Sequence, residues 1–311
     1  MTVHVVGNAT VDITYRVRRL PRPGETLLAV GRSVDAGGKG LNQAIAAARA
    51  GALGAARRRG LGAGVRLIAA IGWDAASTVL RERLAGEANL RAELLEAPEV
   101  TDESLIMVAD DGENAIVSTQ ACAAWLDGER AIAALGAVAA GDTLLMQGNL
   151  SIAATAACLA HGRARGLRTV LNPAPLHDDV GPLLSLVDLV VVNEVEATTI
   201  AGIEDPAAAA AAIRARSDAV VLLTLGASGC RLIGDGEGRH FSAPAVRAVD
   251  TAGAGDVFTG VVAAGLAGGA SLEAATALAV RAAALVVTRP GTSGSFPTSD
   301  EIRTLLAELE G

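Results

Sequence analysis

The stretch Leu186-Val187-Asp188-Leu189-Val190-Val191-Val192-Asn193-Glu194-Val195-Glu196 sets the fold class. Its first seven residues are apolar except Asp188, and valine dominates them, with no alternation of apolar and polar positions. A strand with one wet face alternates; one covered on both faces reads as a continuous apolar run. The polarity then changes abruptly. Asn193 and Glu196 follow the strand end, where open parallel sheets bind ligands. The same residues also read as a helix start with acidic side chains in its first turn.

Working outward, further short apolar runs occur at 3–7, 65–71, 143–147, 168–171, 219–224 and 230–233, with the quoted run giving 187–192. Alanine-rich helical stretches lie between several of them, at 40–50, 75–85, 151–164 and 206–216. This alternation predicts βαβ units, hence an α/β fold with a doubly wound, mainly parallel sheet and helices on both faces. Two regions break the rhythm. Residues 11–17 and 26–34 flank Leu20-Pro21-Arg22-Pro23-Gly24-Glu25, and residues 104–109 and 114–119 flank the hairpin turn Asp110-Asp111-Gly112-Glu113. They read as antiparallel strands outside the main sheet, a small β lid. The last third reads as helices at 255–268, 272–288 and 299–309, and 53–64, with Arg57-Arg58-Arg59, as an exposed loop. With no repeat or long linker, the expectation is one domain over 1–311, with lid strands in about 11–34 and 104–119.

Composition narrows the function classes. Hydrophobic residues make up 51% and aromatic residues 2%, so the large core is built from Ala, Val, Leu and Ile. A net charge of −8 argues against a general nucleic-acid or anionic-membrane binder. No unbroken apolar window reaches the eighteen or so residues of a membrane span. The N-terminus enters a strand without a leader pattern. Cys122, Cys158 and Cys230 are far apart and odd in number, and His4, His161, His177 and His240 show no metal-ligand spacing. A cytoplasmic location is expected.

Four segments carry chemistry. In Ala36-Gly37-Gly38-Lys39-Gly40-Leu41-Asn42-Gln43-Ala44, glycines around a lysine allow close backbone approach to a ligand at a helix start, where free N–H groups meet oxygen-rich molecules. It is not a Walker A loop, because Gly40 follows Lys39 and Ser33 stands where that motif needs glycine. In Asp250-Thr251-Ala252-Gly253-Ala254-Gly255-Asp256, small residues lead into an apolar helix with Asp256 in its first turn. N–H groups of 253–256 suit a transferring phosphoryl group, and the carboxylate suits a general base; the plainer reading is that Asp256 complements the helix dipole. The Asn193 and Glu196 pair could place Mg²⁺ through water. Leu223-Thr224-Leu225-Gly226-Ala227-Ser228-Gly229 is a strand and a Gly turn that suits a nucleotide and equally a tight hairpin.

In this order the segments resemble the ribokinase family, the PfkB-type carbohydrate kinases. The resemblance runs from Gly7 through Pro23-Gly24-Glu25-Thr26, Gly37-Gly38-Lys39-Gly40 with Asn42-Gln43-Ala44, Leu145-Met146-Gln147 and Leu171-Asn172-Pro173-Ala174-Pro175. It continues through Asn193-Glu194 with Glu196, Thr224-Leu225-Gly226 and Asp250 to Asp256, to Thr288-Arg289 with Gly291. It implies ATP-dependent phosphoryl transfer to a sugar, with Asp256 as base and Gly253, Ala254, Gly255 and Asp256 as anion hole. Thr10, Asp12, Gly38, Lys39, Asn42 and Asn149 become sugar-side positions, and Asn193 and Glu196 the Mg²⁺ and phosphate pair. Thr224, Gly226 and Gly229 become ATP contacts. A K⁺ site is implied at Asp250, Ala252, Val286, Arg289, Gly291 and Ser295, and a homodimer through the lid.

Three departures fall on the sugar side: Thr10 in place of an Asn, Asn149 in place of a Glu, and Cys122-Ala123-Ala124 beside Trp125 in place of Gly-Ala-Asn. They leave the acceptor open among ribose and related sugars. A nucleoside kinase of the same fold would stack a base on aromatics, which are scarce here apart from residues such as Tyr15 and Trp125. A non-catalytic sugar-binding regulator is the third reading.

Overall fold

The computed structural model describes residues 1–51, 64–176, 179–234 and 238–310. The basic run at 57–59 and His177 lie outside the described residues. In chain order the elements are β1 (Val3–Val6), β2 (Thr10–Val17), β3 (Gly31–Gly37), α1 (Lys39–Gly51), β4 (Val65–Ile71), α2 (Ala75–Ala85), β5 (Leu90–Glu96), β6 (Glu103–Ala109), β7 (Asn114–Ser118), α3 (Ala121–Trp125), α4 (Gly128–Leu135) and β8 (Thr143–Gln147). There follow α5 (Ile152–Ala164), β9 (Arg168–Asn172), β10 (Leu189–Asn193), α6 (Glu194–Ala201), α7 (Pro206–Ala215), β11 (Val220–Thr224), β12 (Cys230–Ile233), β13 (Arg239–Phe241), α8 (Ala254–Ala267), α9 (Leu272–Val286) and α10 (Ser299–Glu310).

The main sheet runs β13-β12-β11-β10-β9-β8-β1-β4-β5. It is parallel from β5 to β11, and β12 turns back antiparallel. Both faces are covered, as the quoted run requires. In β10, Leu189 and Val191 enter the core shared with α1, α8 and α9, while Val190 and Val192 enter the core shared with α5 and α7. β8 divides likewise, with Leu145 on one side and Leu144 and Met146 on the other. Successive side chains point to opposite faces, so one uninterrupted apolar run fills two cores.

The lid is a second sheet in the order β3-β2-β6-β7. β3 with β2 and β6 with β7 are antiparallel as expected, but the seam between β2 and β6 is parallel. The strand expected at 26–34 lies at Gly31–Gly37 instead, because β2 pairs from Thr10↔Gly37 to Arg16↔Gly31 and the pairing runs directly into α1. Within the expected range, Leu28 and Val30 stand 89% and 61% exposed and reach no core. β5 was not legible in the sequence: it is a main-sheet edge strand, mostly half-buried and carrying Arg91, Glu93 and Glu96. No helix among the described residues is long and apolar enough to cross a membrane.

Candidate active site

The strand order reverses at β1, which lies between β4 and β8, and crevices open outside the carboxyl ends of strands at such a switch point. The Gly-Gly-Lys-Gly segment seats itself there. Asn8 accepts N–H bonds from Gly40 (3.2 Å, side-chain Oδ1) and Leu41 (3.0 Å, backbone O). A Cβ on Gly40 would stand 2.6 Å from the Asn8 carbonyl oxygen and 2.7 Å from its nitrogen, so only glycine lets α1 start this close to β1.

Asp256 lies in the first turn of α8, after Gly253, whose φ of +78° provides the left-handed turn into the helix. The Asp256 carboxylate is buried, yet three donors from α1 reach it. Asn42 Nδ2 donates to Oδ2 at 3.1 Å, Gln43 Nε2 donates to Oδ1 at 3.0 Å, and Lys39 Nζ stands 3.6 Å from Oδ1. This is more than a dipole partner requires, since three side chains from another element hold it. A helix's first-turn N–H groups have no intrahelical acceptor, and Gly255 faces open space, so an anion can approach them.

On the lid side, Asp12 is buried and takes a 3.1 Å hydrogen bond from Thr10 Oγ1. Burial pushes its carboxyl up to about 6; the charges of Asp35 and Asp256 act the same way, and hydrogen bonds from Thr10 and Ser104 oppose them. The Cys122-Ala123 pair is tied in close by. Both N–H groups donate to Asp102, at 3.2 and 2.9 Å, and the Asp102 carbonyl accepts from Val11 beside Asp12. Asn42 Oδ1 and Asn149 Oδ1 are buried acceptors without a partner. Buried polar atoms are seldom left so, and ligand hydroxyls would complete them.

The other two segments satisfy themselves locally. Asn193 Oδ1 accepts from the Glu196 N–H at 2.8 Å and Glu196 Oε2 from the Asn193 N–H at 3.0 Å, a capping box that starts α6 at the end of β10. Thr224 ends β11, and Gly226 and Gly229 shape the hairpin into β12, closed by the 2.8 Å bond from Leu225 N–H to the Gly229 carbonyl. The structural readings of both segments therefore hold, and neither precludes a ligand beside it.

Asp250 hydrogen-bonds two of the other positions implied for a cation site, Ala252 and Gly291. Its Oδ1 accepts from Ala252 at 2.9 Å and its Oδ2 from Gly291 at 3.0 Å. Ser295 Oγ donates to the Gly291 carbonyl at 2.8 Å, and the Val286 carbonyl accepts from the Arg289 N–H at 3.0 Å. The Arg289 side chain points its charge at Glu301. These positions offer oxygen atoms, the ligand type a hard cation takes, and each carboxylate and carbonyl oxygen named here also accepts a hydrogen bond within the chain.

The residues that sequence reading left out are Gln43, Gln147 and Asn172 as site members. Gln43 Nε2 also donates to Asn172 Oδ1 at 3.0 Å, and Gln147 Nε2 donates to Gln43 Oε1 at 2.9 Å. Their signal was three amides at the ends of apolar runs, positions where water is excluded.

The pfkB family carbohydrate kinase model matches residues 2–299. The chain belongs to this family. It is 32% identical to the ribokinase of Haemophilus influenzae over 306 residues, covering 96% of each chain. It is also 32% identical to the mouse ribokinase, covering 96% of this chain and 93% of that one. Among solved structures, the ribokinase of Thermotoga maritima superimposes with a TM-score of 0.87 at 28% identity, covering 98% of this chain and 99% of that one. The Arabidopsis thaliana ribokinase, solved with ribose and ATP, gives 0.82 at 26%, covering 98% of each. As a pfkB family member the chain is an ATP-dependent sugar kinase, a phosphotransferase with an alcohol acceptor.

Proposed function

We propose that this pfkB family member transfers the γ-phosphoryl group of ATP to a hydroxyl of ribose or a related sugar, with Asp256 as the general base. The observation that carries this reading is the buried Asp256 carboxylate, held by Lys39, Asn42 and Gln43 at an open helix N-terminus. Asp256 takes the proton of the attacking hydroxyl as the new O–P bond forms and the bond to the ADP leaving group breaks. The N–H groups of Gly253, Ala254, Gly255 and Asp256 face the charge that develops on the transferring group. Thr10, Asp12, Gly38, Lys39, Asn42 and Asn149 hold the sugar, with Asp12 and the unpartnered acceptors of Asn42 and Asn149 accepting hydrogen bonds from its hydroxyls.

Thr224, Gly226 and Gly229 border the ATP position. Asn193 and Glu196 would hold Mg²⁺ through water, supplying charge neutralisation on the phosphates. Asp250, Ala252, Val286, Arg289, Gly291 and Ser295 would hold K⁺ close to the start of α8. The chain acts in this reading as a cytoplasmic homodimer joined through the lid, whose β6 and β7 expose Leu105, Ile116 and Val117.

The test is a coupled ADP-release assay with ATP, Mg²⁺ and K⁺ across pentoses, hexoses and nucleosides. Sugar-dependent ADP release led by ribose or a close relative is expected. Release driven by nucleosides alone, or no acceptor-dependent release, contradicts the reading.

A further inference from the structure

Gln43 is fully buried at the start of α1 and spends both amide protons on two acceptors, Asp256 Oδ1 and Asn172 Oδ1, each at 3.0 Å. Its orientation does not depend on reading an amide by eye. The Val191 backbone carbonyl, in the middle of β10, can only accept, and it takes Asn172 Nδ2 at 2.9 Å. Asn172 must therefore turn its oxygen to Gln43, and Gln43 must answer with nitrogen. The Asp256 carboxylate also requires a donor there. Gln147 Nε2 then donates to Gln43 Oε1 at 2.9 Å and closes the arrangement from β8. Two acceptors of fixed identity thus impose the same orientation on one amide.

We propose that Gln43 is a positioning residue for phosphoryl transfer, fixing the rotation of the Asp256 carboxylate through an amide relay anchored at the Val191 carbonyl. The inference rests on the reading of Asp256 as base. One carboxylate oxygen is pinned by Gln43, with Lys39 beside it, while Asn42 holds the other. The anchor is rigid because Gln147, Asn172 and Val191 belong to three adjacent strands, β8, β9 and β10. A base held this way needs no reorganisation when the sugar arrives, and small misplacements of reacting groups cost rate steeply.

The test compares Gln43→Met, Gln43→Glu and Asp256→Asn with the wild type in steady-state assays over a range of pH, with melting curves to confirm folding. The other charged groups facing Asp256, Lys39 on α1 and Asp12 on β2, stay unchanged in the Gln43 variants. Gln43→Met should lower kcat by about 10- to 100-fold while KM for sugar and ATP stays within about threefold. Gln43→Glu keeps the shape. Protonated, the introduced carboxyl still donates to Asp256; ionised, it replaces a donor with a second negative charge. Its activity relative to wild type should therefore fall as pH rises. A residue with only a structural role would lower the melting temperature and leave that ratio flat. Should Gln43→Met fail to fold, Gln43→Glu decides alone. Near wild-type kcat with a flat ratio, alongside an inactive Asp256→Asn, overturns the role of Gln43 and spares the base. An active Asp256→Asn overturns the base itself.

Discussion

The crevice floor around Asp256 and the edge from Asn193 to Gly229 lie along the same row of strand ends, yet they are built in opposite ways. At the floor, side chains from α1, β8, β9 and α8 meet in the interior, and the hydrogen bonds joining Asn42, Gln43, Gln147, Asn172 and Asp256 cross from one element to another. At the edge, Asn193 and Glu196 satisfy each other, and Gly229 closes a hairpin with Leu225. The floor is assembled before any ligand arrives, as a site for chemistry must be. The edge is a surface whose half-buried carboxylate and turn are closed by their own local bonds. Damage should therefore spread from a change at the floor and stay local at the edge.

The sharpest way to break this contrast is Gly40→Ala. Its methyl would meet Asn8 backbone atoms that cannot swing aside, so α1 and β1 must part. We expect a loss of about 3 kcal/mol in denaturant unfolding, with sugar turnover falling alongside. A stability within experimental error of wild type would show that the floor is looser than its packing implies.

Asp12→Asn probes the lid side of the floor. A carboxyl raised to about 6 in the folded state, against an ordinary 3.8, favours folding when protonated. That stability is fully present below about pH 4 and is lost as pH rises through about 6. The variant should thus be more stable than wild type by about 3 kcal/mol at pH 8, and the gain should vanish near pH 4. Its KM for sugar should rise over the same upper range, since a carboxylate acceptor is gone. A destabilised variant at pH 8 would reverse the sign of this argument.

The smallest effect belongs to the edge. Glu196→Ala removes half of the capping box and should cost about 0.5–1 kcal/mol in thermal unfolding. KM for MgATP should rise while KM for sugar holds. An unchanged response to Mg²⁺ would leave Glu196 as a cap and nothing more.

The same contrast explains what the sequence made legible. The double-sided strands, α8 and the Gly-rich helix starts are written in local patterns, such as the valine run into Asn193 and the small residues before Asp256. β5 was missed because an edge strand needs only one good neighbour, and its charged residues look like a loop's. The strand expected at 26–34 was displaced because pairing with β2, rather than local apolarity, sets where β3 forms. The amide relay was missed for a deeper reason. Gln43 stands 129 residues from Asn172 and 213 from Asp256, and a single buried amide carries no sign in the sequence of what it will touch. The segments named as candidate sites were each visible, but only folding shows that Lys39 and Asn42 reach Asp256 while Asn193 and Glu196 turn to each other.

In the proposed reaction Asp256 serves proton removal from the acceptor rather than its binding. The direct measurement pairs turnover with calorimetric sugar binding for Asp256→Asn. We expect kcat reduced by about 10²–10⁴-fold with sugar affinity within a few-fold of wild type. Turnover near the wild-type rate, or a loss of binding as large as the loss of turnover, would contradict it.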